Sequence, residues 1–227
     1  MTDDKLIRLE NVSRVYNGGF KVIAVDSIDF SVERGGFCCI AGPSGSGKTS
    51  LLNLIGGIDK PTSGDIFIEN ENITALSRAK LSDFRLKKLG FVFQELNLIP
   101  VLTARENIEF PLMLQGWSIE KREIAVNGIM KELGLEGLAD RRPAAMSGGQ
   151  QQRIAVARAV VSGPSLVLAD EPTANLDSAN SHNLVELMKR LNSEKNITFI
   201  FATHDESVLR EARQIVYLRD GKITGKT

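Results

Sequence analysis

One stretch constrains the fold of this chain more than any other: Gly42-Pro43-Ser44-Gly45-Ser46-Gly47-Lys48-Thr49. It matches the pattern G-x-x-x-x-G-K-[ST] at every fixed position and lies between two apolar runs, residues 37–41 and 50–55. These runs predict a buried strand before the stretch and a buried helix after it. Glycines let successive N–H groups turn toward an anion, and a helix N-terminus adds unpaired N–H groups and a positive dipole end. The stretch therefore predicts a phosphate cradle, with an ordinary Gly/Ser-rich turn as the alternative.

The last two residues of this stretch favour a nucleotide over a simple turn. Lys48 has the length to reach the β- and γ-phosphates of a nucleotide, and the Thr49 hydroxyl can ligate Mg²⁺. An ordinary turn needs neither side chain.

Composition restricts the class of protein. The 227 residues include 28 Lys plus Arg and 28 Asp plus Glu, so the net charge is zero. A neutral chain argues against nucleic acid bound through bulk charge, although a local basic patch stays possible. The two cysteines, Cys38 and Cys39, are adjacent, which predicts core residues in a reducing cytosol rather than a disulfide or metal site.

Two features bear on a membrane role. Residues 1–5 are polar and acidic, unlike a signal peptide, and no apolar run approaches the ~18 residues that span a bilayer. We expect a soluble protein whose membrane role, if any, comes through a partner.

The chain has an α/β pattern interrupted by a helical block. Apolar runs predict strands at residues 6–9, 22–32, 37–41, 65–68, 90–93, 166–169 and 197–202, with a glycine turn at 18–19. Amphipathic or basic segments predict helices at 77–88 and 178–194, and Asp-Gly at 220–221 predicts a closing hairpin.

From residue 96 to residue 161, strand patterns vanish and helical ones dominate. Thr103 with Glu106 forms a capping-box pattern, and Ser118 starts a second helix with a weaker version of it. The second helix is expected to bury an apolar face made of Ile124, Ile129, Met130 and Leu133.

Two carboxylates follow the apolar run at 166–169. In phosphate-loop enzymes a carboxylate at the end of such a strand holds Mg²⁺ together with the loop hydroxyl, and Asp170 fits that position. Glu171 is then placed to polarise a water that attacks the γ-phosphate. The alternative is an acidic strand end that caps a turn with Pro172.

A second anion-binding pattern precedes that strand: Ser147-Gly148-Gly149-Gln150. Ser147 can cap a helix while the two glycines bare backbone N–H groups. One γ-phosphate needs only one cradle within a chain. The second cradle makes sense if it closes over the nucleotide of another copy.

At this point the sequence resembles a known family. Met146 to Gln150 is similar to the LSGGQ signature of ATP-binding cassette (ABC) ATPases, with Met in place of the leading Leu. Other matches follow in family order over essentially the whole chain: Tyr16 (adenine-stacking aromatic), Gln94 (Q-loop), residues 174–177 (D-loop) and His204 (switch histidine). His182 matches no motif and is interpreted as structural, and Ala169 replaces the larger apolar residue common in the family.

The resemblance implies a fold and a domain division. The fold is a phosphate-loop (RecA-like) α/β core with an antiparallel β subdomain and an inserted α-helical subdomain. A single domain would span 1–227, with 1–94 and 163–227 forming the catalytic lobe and 95–162 the helical subdomain.

The resemblance also implies ATP and Mg²⁺ as ligands and a role for each matching residue. The catalytic set is Glu171 (general base), His204, Lys48 and Gln94. The metal set is Thr49, Gln94 and Asp170. The nucleotide-binding set is Tyr16, Gly42, Pro43, Ser44, Gly45, Ser46, Gly47, Lys48, Thr49, Ser50, Ser147, Gly148, Gly149, Gln150 and Asp177, of which Ser147 and Gly149 would contact the γ-phosphate of the opposite subunit.

The implied partners follow from the family. They are a membrane-spanning permease subunit and either a second copy of the chain, in an ATP-dependent homodimer, or a paralogous ATPase, with no nucleic acid. Dimerisation on ATP would drive a conformational change in the permease. The chain would lie in the cytoplasm on the inner face of the membrane. The similarity to the macrolide-export and lipoprotein-release branch rests on residues 90–94, 97–100, 102–104, 106–107, 168–173 and 175–177.

Three other classes stay open from the residues alone. A non-transport ABC ATPase usually carries a long coiled coil or a second cassette. A simple phosphate-loop kinase would leave the Ser147 motif unexplained. A nucleotide-binding regulatory module without turnover is disfavoured by Glu171.

Overall fold

Two β-sheets frame the structure, a computed structural model that describes residues 5–18 and 20–227. In chain order the strands are β1 Lys5–Asn17, β2 Lys21–Glu33, β3 Phe37–Ala41, β4 Ser63–Ile68, β5 Glu71–Asn72, β6 Leu89–Val92, β7 Leu166–Asp170, β8 Thr198–Ala202, β9 Gln214–Arg219 and β10 Lys222–Lys226. The helices are α1 Lys48–Ile55, α2 Arg78–Lys88, α3 Ala104–Leu114, α4 Ile119–Glu132, α5 Gly148–Val160, α6 Ser178–Lys195 and α7 Glu206–Glu211.

The first sheet is antiparallel, with strand order β2-β1-β4-β5. Leu9 pairs with Phe30 on one side and with Ile66 on the other, and all three side chains are buried. One face of this sheet therefore covers the core. The strands predicted at 6–9 and 22–32 are longer in the structure, and the turn predicted at 18–19 lies partly outside the described residues.

The second sheet has the order β10-β9-β3-β8-β7-β6. Strands β9, β3, β8, β7 and β6 run parallel, and β10 joins β9 in an antiparallel hairpin. Every residue of β3 and β8 is buried, which explains why both strands are apolar apart from Thr198. The predicted hairpin turn is confirmed, because Asp220 and Gly221 have φ of 49° and 76°, the sign that a tight two-residue turn requires.

Side chains of β3 alternate between two apolar clusters. Phe37 and Cys39 lie in one cluster with the helical block, whereas Cys38 and Ile40 lie in the other with α1 and the antiparallel sheet. The central sheet is thus covered on both faces, and the two cysteines are core residues.

Three helices, α3, α4 and α5, lie between β6 and β7 in the chain, where helical patterns dominate. Thr103 and Glu106 form the predicted capping box, while Ser118 makes one half of that motif by accepting from Lys121 N. The apolar face predicted for α4 is wrong at one position. Ile124 is 74% exposed, and Val126 is buried instead.

The topology gathers several chain segments at one edge. The loops after β3, β7 and β8 leave from the carboxyl ends of neighbouring parallel strands, since β8 lies between β3 and β7. Open parallel sheets bind their ligands at this edge. Within the described ranges, no helix is long and apolar enough to cross a membrane.

Candidate active site

The glycine loop between β3 and α1 has a shape that only glycine allows at two positions. Gly47 caps α1 with φ of 103°, and a Cβ there would lie 2.2 Å from the Ala24 carbonyl oxygen. A Cβ on Gly42 would lie 2.2 Å from the Leu218 carbonyl oxygen. Helix α1 begins at Lys48, two residues before the predicted start. Gly45, Gly47 and the first residues of α1 line one concave space.

Lys48 spans the inside of this loop and is only 7% exposed. Its Nζ donates to the carbonyl oxygens of Gly42 at 2.9 Å and Pro43 at 3.1 Å. The same ammonium lies 3.8 Å from Glu171 Oε1. A buried positive charge is thus held where a phosphate would enter.

Thr49 and Asp170 meet at the start of α1. The Thr49 hydroxyl donates to Asp170 Oδ1 at 3.2 Å. Burial raises the pKa of the Asp170 carboxyl, the Thr49 hydrogen bond opposes that rise, and the neighbouring Glu171 carboxylate adds to it. A hydroxyl and a carboxylate form an all-oxygen donor pair of the kind that Mg²⁺ prefers.

Glu171 is held in a strained backbone conformation with φ of 43°. Left-handed geometry at a non-glycine residue costs about 1–3 kcal/mol and concentrates at functional sites. Its Oε2 accepts from the Thr203 hydroxyl at 2.7 Å, and its Oε1 lies 2.9 Å from His204 Nδ1. The carboxylate is therefore fixed between two side chains, with Lys48 nearby.

Thr203 is a residue that the sequence reasoning missed. Its side chain is fully buried, and its hydroxyl serves Glu171 while accepting from Asp205 N at 3.1 Å. A signal was present, because Thr203 is a polar residue directly after a buried strand and beside His204.

A cavity of about 440 Å³ joins many of the predicted residues. Those lining it are Tyr16, Ser44, Gly45, Gly47, Lys48, Thr49, Ser50, Gln94, Glu171 and His204. Gln94 is exposed, and its backbone oxygen accepts from Asn175 Nδ2 at 3.2 Å.

Tyr16 also lines this cavity and is 38% exposed. Its hydroxyl donates to Asp59 Oδ2 at 2.9 Å, and the Arg14 guanidinium lies over its ring, 4.5 Å from the centroid. Sequence reasoning identified neither Arg14 nor Asp59.

The remaining predicted residues lie elsewhere. Ser147, Gly149 and Gln150 line a separate cavity of about 530 Å³ with Arg141 and Arg153. Ser147 and Gln150 form a capping box at the start of α5, where Gly148 is the first helical residue.

Two further polar residues lie at or on α6. Asp177 caps the helix by accepting from Asn180 N at 2.9 Å, and it is not among the residues lining either cavity in the described ranges. His182 is exposed on the same helix.

Comparison with known proteins decides the family. The model of the ABC transporter family matches residues 25–174. The chain belongs to the ABC transporter family. It is 44% identical to the ABC transporter ATP-binding protein YxdL of Bacillus subtilis, over 96% of this chain and 85% of that protein. It is 39% identical to the lipoprotein-releasing system ATP-binding protein LolD of Syntrophotalea carbinolica, over 97% of each chain.

A solved structure supports the same assignment. The ATP-binding cassette MJ0796, a protein of Methanocaldococcus jannaschii, is similar with a TM-score of 0.90 and 41% identity over 97% of both chains. That structure is a dimer in a post-hydrolysis state bound to ADP and Pi. The predicted family, fold class, ATP binding and ATPase activity are confirmed. This ABC cassette is the ATP-hydrolysing subunit of a transporter.

Proposed function

We propose that this ABC cassette hydrolyses ATP in the cavity between the glycine loop and Glu171, with Glu171 as the general base. The observation that carries the proposal is the fixed carboxylate, since Thr203 and His204 both contact it and Lys48 Nζ lies 3.8 Å away. A general base must be oriented before reaction, and these contacts orient it. Gln94 and His204 complete the catalytic set at the rim of the cavity.

The phosphates are proposed to lie in the glycine loop. Ser44, Gly45 and Gly47 line the cavity there, together with the Lys48 ammonium and the first residues of α1, whose N–H groups favour an anion. Tyr16, which lines the same cavity, is proposed to stack on adenine.

Mg²⁺ would be held by Thr49 and Asp170, with Gln94 reaching it or its waters. When bound, the ion offsets negative charge on the β- and γ-phosphates. The hydrogen-bonded Thr49–Asp170 pair supports this assignment, because both oxygens already face each other.

A second copy is proposed to complete the site. The cavity of Ser147, Gly149 and Gln150 is separate from the Lys48 cavity of the same chain, so it would serve the nucleotide of another copy. Two-fold pairing would complete two sites at once, with Gly148 and Asp177 at the interface. Light scattering with Mg-ATP on Glu171→Gln should show a dimer, and a strictly monomeric protein would contradict this assembly.

A membrane-spanning permease is proposed as the other partner, with this chain in the cytoplasm on the inner face of the membrane. A largely apolar groove of about 420 Å³ lies beside the segment after Gln94, lined in part by Phe91, Phe93, Phe110 and Leu114. An amphipathic helix fits such a groove. Leu114→Glu should abolish permease-dependent stimulation while sparing intrinsic ATPase activity, and full stimulation would exclude this docking site.

The relatives support a transport class for this proposal. One is the lipoprotein-releasing protein named above, and another is the macrolide export protein MacB of Hyphomonas neptunium, 41% identical over 96% of this chain and 34% of that protein. We propose export, lipoprotein release or mechanotransmission driven through residues 95–162 as a helical subdomain, with 1–94 and 163–227 as the catalytic lobe.

The central experiment is Glu171→Gln. The variant keeps size and hydrogen bonding but cannot take a proton, so ATP hydrolysis should fall by about 10²–10⁴-fold. ATP affinity should be retained, because the glycine loop is unchanged, whereas Lys48→Ala should weaken ATP binding itself. Hydrolysis at the parental rate would show that another group is the base.

A further inference from the structure

The aromatic ring of Tyr16 is held by two other side chains. Arg14 and Tyr16 are two residues apart on β1 and share one face of the strand. The Arg14 guanidinium covers one face of the ring at 4.5 Å, and the ring hydroxyl donates to Asp59 at 2.9 Å. Arg14 Nη2 also pairs with Asp59 Oδ1 at 2.8 Å. The three side chains thus form a closed set, which we name the Tyr16 clamp.

The clamp is more enclosed than an ordinary surface ion pair. The side chains of Arg14 and Asp59 are 24% and 26% exposed. Both Asp59 oxygens are engaged, since Oδ1 also accepts from Lys60 N at 2.8 Å. A guanidinium over an aromatic face adds an attraction that fixes the plane of the ring.

The clamp also connects strand β1, which carries Tyr16, to helix α1, which follows the glycine loop. Asp59 follows α1, the helix that begins at Lys48, and Asp59 N donates to the Asn53 oxygen of that helix at 3.2 Å. Three residues later, Thr62 N donates to the Ser13 oxygen at 2.8 Å, and Thr62 Oγ1 accepts from Val15 N at 3.0 Å. One short loop therefore fixes the strand of Tyr16 against the helix of the phosphate loop.

We propose that Arg14 and Asp59 are positioning residues for the base of ATP: they hold the Tyr16 ring in its stacking orientation before the nucleotide binds. This inference rests on the proposed function, in which Tyr16 receives adenine. Because Arg14 occupies one face of the ring, the base stacks on the opposite face, toward the cavity that Tyr16 lines. The clamp thereby fixes the plane of the base relative to the phosphates.

The expected size follows from the ordering cost of one side chain. An unclamped Tyr16 would have to be ordered when ATP binds, which costs the equivalent of roughly two- to twelvefold in affinity. Inorganic tripolyphosphate has no base, so its affinity does not depend on the ring. If Arg14 positions the ring, replacing it should therefore lower the affinity for ATP but not the affinity for tripolyphosphate.

The test measures dissociation constants of the full chain for Mg-ATP and for Mg-tripolyphosphate by calorimetry. Arg14→Met and Asp59→Asn should each weaken the binding of ATP by roughly two- to twelvefold and leave the binding of tripolyphosphate unchanged. In a Tyr16→Ala background, Arg14→Met should have no further effect on ATP. Arg8→Met is the matched control, because Arg8 lies on the same strand with its guanidinium 4.2 Å from the centroid of the Phe67 ring.

Each outcome separates the inference from the proposed function. If Tyr16→Ala leaves ATP affinity unchanged, the placement of adenine is wrong. If Tyr16→Ala weakens ATP binding but Arg14→Met does not, the positioning role of the clamp is refuted and the placement of adenine is kept. Equal losses for ATP and tripolyphosphate, or the same loss in Arg8→Met, would identify a general structural effect and also overturn the clamp.

Discussion

Arg158 connects the helix that begins at the Ser147 cavity to the segment that follows Gln94. Its Nη1 donates to the Asn97 oxygen at 2.7 Å and its Nη2 to the Leu96 oxygen at 2.8 Å. Both acceptor residues have left-handed backbones, with φ of 47° and 55°, so this segment depends on outside support. Burial lowers the pKa of the guanidinium, which means that its charge is retained against a desolvation cost.

Replacing Arg158 by Met removes both hydrogen bonds and keeps most of the apolar stem. The Leu96 bond is half-buried, so its unpaired carbonyl should cost about 1–3 kcal/mol. The Asn97 bond is exposed, and water can replace it, so its loss should cost about 0.5–1.5 kcal/mol. We expect the free energy of unfolding to fall by about 1.5–4.5 kcal/mol in total.

Urea unfolding measures this change. Trp117, the single tryptophan, lies partly buried between α3 and α4 and reports on the helical block, while circular dichroism reports on the whole chain. Arg210→Met is the control, because Arg210 is 77% exposed and pairs only with the equally exposed Glu206 among the contacts that the structure describes. The control should change stability by less than about 0.5 kcal/mol. A similarly small change in Arg158→Met would refute the role given to its two bonds.

Three further predictions concern the core and the site. Gly47→Ala should abolish ATP binding, measured by calorimetric titration, because its Cβ would lie 2.2 Å from a backbone oxygen. Gly45→Ala is the control and should weaken ATP binding less, since no atom of the described residues lies within 4 Å of the new Cβ, although φ is 78°. Burial raises the pKa of Cys39 to about 12, so its thiol should resist labelling until the chain unfolds. The unfolded chain loses the Cys39 thiol proton at a lower pH than the folded chain does, so the free energy of unfolding should fall as pH rises from about 9 toward 12. Urea titrations at two pH values would measure this fall. Thr203→Val removes the hydroxyl that donates to Glu171 Oε2, so single-turnover ATP hydrolysis should slow without weaker ATP binding. An unchanged rate would contradict the orientation of the Glu171 carboxylate by Thr203.

The sequence was most informative where a feature depends on residues close together in the chain. The glycine loop, its strand and its helix lie within residues 37–55, and the pattern predicted all three. The same holds for the capping box at Thr103 and the hairpin at Asp220. In each case the physical cause, a backbone angle or a capping hydrogen bond, acts over a few residues.

Helix α4 shows why one apolar face was chosen wrongly. Ile124 and Val126 are both apolar but lie two positions apart, about 200° around the helix, so only one can face the core. Val126 shares its face with Ile129 and Met130, at spacings of three and four, and all three are buried. Periodicity permits several faces when apolar residues are scattered, and the packing partner decides among them.

The parts of the site that were missed depend on contacts between distant segments. Tyr16 and Asp59 are separated by 43 positions, and Arg158 and Asn97 by 61. In each pair, the sequence around one residue gives no sign of the other residue, because a charged residue near a turn is ordinarily expected to be solvated. Such contacts become visible only when the strand order is known.

Strand order explains Thr203 in the same way. The chain order β3, β7, β8 does not reveal that β8 lies between the other two, yet the structure has that arrangement. Thr203 N donates to the Ile40 oxygen at 3.2 Å, and Glu171 N donates to the Ala202 oxygen at 2.8 Å, so the end of β8 bridges the ends of both neighbours. A polar side chain at the end of the middle strand is therefore positioned against the residues that follow both flanking strands. In this cassette that position gives Thr203 its contact with Glu171, and the glycine loop lies on the other side.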